Sequence, residues 1–140
     1  MIQKFHEGKF RRVPMHRIIL ETFKPKPWDL LECDHRSGVK VDCRLVNLRW
    51  VTHSLNVSFV PAKGWACRKH KHCQTFRARF RNKTWKCPTP EAARDKYLQE
   101  KIHWQMEERE RILGVVMELF DSREHAISSL NWDVRDFATN

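Results

Sequence analysis

Residues 75–80 read TFRARF, and this strict alternation of apolar and cationic side chains does not fit a helix. Phe76, Ala78 and Phe80 fall on one side at a period of two, and Arg77, Arg79 and Arg81 on the other. The alternation runs from Trp65 to Lys86, and Asn82-Lys83 predicts a hairpin turn within it. Aromatic residues then take the core face of a small sheet and arginines the open face. Downstream, Thr89-Pro90-Glu91 supplies a cap, a proline and an acid for the start of a long helix. Ile112, Val115, Val116, Leu119 and Phe120 give that helix an apolar face to about Phe120. Asp121-Ser122 ends it, and a shorter helix runs from Glu124 to Leu130. The fold class expected is α+β.

Charge is the next constraint. The chain has 140 residues and a net charge of +10. Residues 1–60 carry 11 basic and 6 acidic side chains, residues 61–101 carry 12 and 3, and residues 102–140 carry 4 and 8. No acid occurs between Asp42 and Glu91. A polyanion is the expected partner, nucleic acid first, met by the first two parts and not by the acidic tail. No run approaches 18 apolar residues, so a membrane span is excluded. The opening MIQKFHEGKFRRV lacks the apolar core of a secretion signal. Five cysteines without a CxxC pair read as reduced thiols, so an intracellular location is expected.

The first part holds the chemistry-bearing residues. PMHRIILETF reads as a helix opened by Pro14, and KPKPW as an extended loop. Leu30 to His35 reads as a strand, SGVKVD as a turn and Leu48 to Val51 as a second strand. Thr52 caps a short helix through His53, Leu55 and Asn56. Asp34-His35, Asn47 and Asn56 thus meet where strand, loop and helix converge. An acid and an amide can hold a hard divalent cation beside an imidazole base, the parts that phosphodiester hydrolysis requires. The residues alone also allow two asparagines that merely cap loops.

Order and spacing add a resemblance. HRIILETFKPKPWDLLECDHRSGVKVDCRLVNLRWVTHSLNV resembles the HNH endonucleases, specifically the phage and intron-encoded homing type, in His16-Arg17, Phe23, Asp34-His35, residues 44–52 and Asn56. The resemblance implies a ββα-metal fold. It implies Asp34 and Asn56 as metal ligands, His35 as the general base, and Asn47 as the brace of the loop that aims His35. With an amide ligand the implied cofactor is one divalent cation, Mg²⁺ or Mn²⁺. Two departures stand out: Asp42-Cys43 where relatives often carry paired asparagines, and RSGVK after His35. His16 is open between a packed helix residue and a catalytic one. His53 is open between a solvent-facing position and a phosphate contact, and Arg49 between a surface role and a DNA contact.

Residues 62–90 hold nine Lys or Arg and no acid. GWACRKHKHCQTFRARFRNKTWKCPTPEAARDKYLQ resembles the apetala-type DNA-binding domain, a three-stranded sheet on one helix. The resemblance implies double-stranded DNA as partner, with contacts from Trp65, Arg68, Lys69, Lys71, Arg77, Arg79, Arg81 and Lys83. A structural zinc site using Cys67, His70, His72, Cys73 and Cys87 is the competing use. Against it, no CxxC knuckle exists, and idle thiols are preferred. LFDSREHAISSLNW is similar to the helical repeats at the ends of homing nucleases, yet its acidity favours packing or dimerisation.

The expected organisation is a nuclease module at 1–60, a basic sheet-helix module at 61–104 and a helical tail at 105–140. The expected activity is metal-dependent cleavage of double-stranded DNA at a fairly specific site, as in phage or mobile-element homing nucleases in a bacterial cytoplasm. The alternatives are a non-catalytic DNA-binding regulator with a decayed nuclease module, and a nuclease-like subunit that needs a partner protein to cut. Monomer and homodimer are both left open by the sequence.

Overall fold

The computed structural model of the protein describes residues 2–69, 71 and 74–137. Seven strands form three separate antiparallel sheets. The first is a hairpin of β1 (Ile2–His6) and β2 (Lys9–Val13). Helix α1 (Met15–Phe23) follows, with Pro14 as its N-cap in extended backbone instead of at the first helical position. Strands β3 (Leu31–His35) and β4 (Leu48–Thr52) pair next. A 3-10 turn at Leu45–Asn47 leads into β4, and α2 (His53–Ser58) follows it. Thr52 caps α2 as its sequence position predicts, its side chain accepting from the Leu55 amide at 3.3 Å.

The third sheet orders β5 (Trp65–Lys69), β6 (Gln74–Phe80) and β7 (Lys83–Cys87). Its period-two pattern sorts as predicted: Ala78 is buried, Phe76 and Phe80 half-buried, and Arg77 and Arg79 exposed. The turn falls one residue earlier than predicted. Phe80 pairs with Lys83, so Arg81-Asn82 makes the bend, with Arg81 at φ +53. Arg81 therefore leaves the strand face assigned to it, and its guanidinium lies 4.6 Å from the Trp104 ring centroid.

Helix α3 (Pro90–Met117) runs 28 residues, capped by Thr89, and α4 is Arg123–Ser129. A final 3-10 turn covers Val134–Phe137. The two ends of α3 serve different cores. Ala93 and Tyr97 pack on Ala78 with Trp65, Phe76, Phe80 and Trp85 around them. Ile112, Leu113 and Val116 pack instead with Leu20, Leu48, Trp50 and Leu55.

The tail completes that second core. Ala126, Leu130 and Trp132 are all buried in it. The Trp50 amide donates to the Leu130 carbonyl at 3.0 Å, and Trp132 Nε1 donates to the Trp50 carbonyl at 2.8 Å. The acidic tail therefore packs on the segment that carries Asp34 and His35.

Gly64 fixes how the third sheet meets α3. Its φ is +70, and a Cβ there would sit 2.1 Å from Tyr97 Cδ2. Gly64→Ala is expected to cost at least about 1–3 kcal/mol through strained backbone and a displaced ring. Urea unfolding of the variant beside the parent measures that cost.

Candidate active site

Antiparallel register sets Asp34 opposite Arg49 and His35 opposite Leu48 at the open end of the β3–β4 pair. The chain then loops through residues 36–44 before the 3-10 turn, and Asn47 holds that loop. Its side chain accepts from the Ser37 amide at 2.9 Å and donates to the Asp42 carbonyl at 2.9 Å. The Arg36 amide donates to the Asn47 carbonyl at 2.6 Å. One buried amide thus ties both ends of the loop that follows His35.

His35 sits between two neighbours. The His16 ring centroid is 4.6 Å away, and Cys43 Sγ lies 4.0 Å from His35 Nε2. Burial and the nearby His35 lower the His16 pKa, which keeps His16 uncharged beside its partner. Burial also drives the Cys33 thiol up to about 12, so it stays protonated.

A cavity of about 640 Å³ opens here, lined among others by His16, Asp34, His35, Arg49 and Asn56. Three of the four motif residues therefore face one space, and the fourth, Asn47, supports its wall from behind. Asn56 Nδ2 donates to Glu32 Oε1 at 2.5 Å. That leaves the amide oxygen as the atom available to a cation. His53, one turn earlier, is exposed, pairs with Glu32 at 3.2 Å and does not line the cavity.

Arg49 departs from its expected outward role. It is 6% exposed, and its two ends are committed to carboxylates. Nε donates to Asp34 Oδ2 at 2.9 Å, and Nη1 donates to Asp136 Oδ1 at 2.6 Å. Its plane also lies 4.3 Å from the Phe59 ring centroid. A side chain held on three sides fixes one oxygen of Asp34 while still lining the cavity.

Asp136 binds a second arginine as well. Arg36 Nε and Nη2 donate to its two oxygens at 2.9 Å each. Burial works to raise the Asp136 pKa, but Arg36, the Asp133 amide and Arg49 outweigh it and hold the carboxyl below its usual range. At Asp34 the balance is reversed: burial lifts its carboxyl despite Arg49.

Among the described residues, no group of three or more His, Cys, Asp or Glu is placed to hold a metal. Asp34 and Asn56, which both line the cavity, offer a carboxylate and an amide as oxygen donors. This hard-oxygen pair fits Mg²⁺ or Mn²⁺, which keep several waters and need few protein ligands. Of the competing zinc set, Cys67 and Cys87 do not come together. Cys67 and Cys87 both pair with Phe76 from opposite sides, so their backbones stand about 10 Å apart. His70, His72 and Cys73 lie outside the described residues.

Away from the cavity, the outer face of the third sheet carries Arg68, Arg77 and Arg79, all exposed. Lys86 joins them because it pairs with Arg77 across β6–β7, a neighbour that sequence reasoning left out. Trp65 belongs to the other face: it packs edge-on to Phe76 at 6.4 Å, with Lys63 over its ring. Lys69 and Lys83 share the phase of Trp65 and Trp85 at the sheet's ends, and Lys71 is exposed in the connecting loop. The expected row of contacts thus reduces on this face to Arg68, Arg77 and Arg79, with Lys86 added.

A strand pair, a bracing asparagine and a short helix thus surround the Asp34-His35 dipeptide. Residues 13–58, about a third of the chain, match the family model described as HNH endonuclease. No curated protein and no solved structure matches the chain. No helix among the described residues is long and apolar enough to cross a membrane.

Proposed function

We propose that this protein is a metal-dependent endonuclease that hydrolyses phosphodiester bonds of double-stranded DNA at a fairly specific site, of the phage or mobile-element homing kind. The observation that carries this reading is the cavity shared by Asp34, His35 and Asn56 within the HNH-matching segment. His35 takes the proton from the attacking water, held in aim by the loop that Asn47 ties. Asp34 and Asn56 would hold a divalent cation, which would supply charge stabilisation at the phosphate and the departing 3′ oxygen. Arg49 acts behind them by fixing one Asp34 oxygen.

The division of labour follows the charge. Residues 1–60 cut, residues 61–104 grip DNA in the manner of an apetala-type sheet, and residues 105–140 support the site. A supercoiled-plasmid assay tests the activity. Nicked or linear product with Mg²⁺ or Mn²⁺, abolished by chelator, is the expected outcome, and an intact plasmid under every condition refutes it.

One observation favours a second reading, a DNA-binding protein whose nuclease module has decayed: Arg49 already occupies one oxygen of Asp34. That protein would bind duplex and leave the plasmid uncut.

The sheet is tested separately. Arg77→Ala/Arg79→Ala removes two neighbouring cations from one exposed face. Duplex affinity should fall, and the log–log salt slope should flatten by about 1.8, roughly 0.9 per phosphate contact. An anisotropy titration at several salt concentrations reads both.

A further inference from the structure

Among the described residues, none of the β1–β2 hairpin belongs to either hydrophobic core or lines the cavity described above. It is nonetheless well built. Five residue pairs are in antiparallel register, and the Glu7-Gly8 bend has positive φ at both positions, +50 and +77. That bend matches the natural twist of two strands.

A two-stranded ribbon alone is marginal in water, and this one presents its aromatic residues outward. Phe5 and Phe10 pair across the strands at 5.1 Å while remaining 66% and 72% exposed. Arg12 shares their face, and Lys9 and Arg11 lie on the other; all three cations are exposed. The segment carries four Lys or Arg against Glu7.

Its place in the chain matters as much as its charge. β2 ends at Val13, and three residues later His16 lines the catalytic cavity. The ribbon is therefore rooted at the rim of the site and extends about 16 Å along its strands.

We propose that the β1–β2 ribbon is a DNA-docking arm that lies in the duplex groove beside the scissile phosphate. The proposal rests on the nuclease reading above. A major groove about 12 Å wide admits a two-stranded ribbon, and cations on both faces meet both of its walls. The exposed Phe pair stiffens the ribbon and gives it apolar surface for the base edges. A second copy of the chain is a poorer occupant, because a two-fold contact would set these cations against each other.

The test uses the full chain with chelator present, so that cleavage does not enter. Lys9→Gln/Arg11→Gln/Arg12→Gln is titrated against a fluorescein-labelled duplex over a series of salt concentrations. The expected result is at least a tenfold loss of affinity and a slope flatter by about 2.7, three contacts at roughly 0.9 each. Phe5→Ala/Phe10→Ala should also weaken binding, and both variants should melt like the parent because no core is touched. Parent-like affinity and slope in the triple variant overturn the arm while leaving the nuclease reading intact. A Phe variant with unchanged affinity but an altered sedimentation state makes a second copy the occupant and overturns the arm too. A parent that binds no duplex at all overturns the nuclease reading itself.

Discussion

His35→Ala is expected to lower cleavage about 10²–10⁴-fold while duplex affinity stays within a few-fold of the parent. The side chain lies at the end of β3, half-buried, outside both hydrophobic cores, so its loss leaves the fold in place. Asn47 still ties the loop, and Asp34 and Asn56 still face the cavity. What disappears is the group that accepts the proton of the attacking water. Plasmid cleavage under single-turnover conditions, beside an anisotropy titration, separates the two effects. Cleavage at the parental rate would remove His35 from the role of base.

Asp136→Ala is expected to be the most destabilising single change in the molecule. Its carboxylate is almost fully buried and takes hydrogen bonds from Arg36, Arg49 and the Asp133 amide. Without it, Arg36 loses its buried acid and Arg49 is left with Asp34 as its acid among the described residues. Breaking a buried pair this way costs about 3–5 kcal/mol, because a charge is left without its partner. Urea unfolding measures the loss. The folded-state pKa of Asp136 lies below its unfolded value of about 3.9, so its stabilisation is present above that pH and is lost as pH falls through the depressed value. Asp136→Asn should remove this part of the acid sensitivity. A variant as stable as the parent, with an unchanged acid limb, would show that the arginines do not depend on the tail.

Local signals made much of this structure readable. Thr52 and Thr89 cap helices through their own side chains, a contact that spans three residues and shows in sequence. Asp34, His35, Asn47 and Asn56 stand out through the resemblance to the HNH pattern, since their types alone also allow asparagines that cap loops. The parts that stayed hidden depend on distant partners. Arg49 reads from sequence as either a surface residue or a DNA contact, and its burial is hidden because the acid it pairs with lies 87 positions away. Arg81 looked like part of an arginine row, but Trp104, on a later helix, draws it into the turn. The first hairpin escaped because its Phe residues reach no core; Glu7-Gly8 was the available sign, and it stands alone. The acidity of the tail did carry information, since two of the cations it answers, Arg36 and Arg49, flank the site.

Helix α3 is continuous over 28 residues, about 42 Å at the usual rise, and each end is anchored in a different core. It acts as a ruler. On the proposed reading, the sheet that grips DNA and the cavity that cuts it are held at a set offset, at most about a dozen base pairs. The address can then be rewritten on the sheet's outer face without moving the cut. A single residue inserted mid-helix, by contrast, would swing one end about 100° against the other and leave the blade aimed at the wrong face of the duplex.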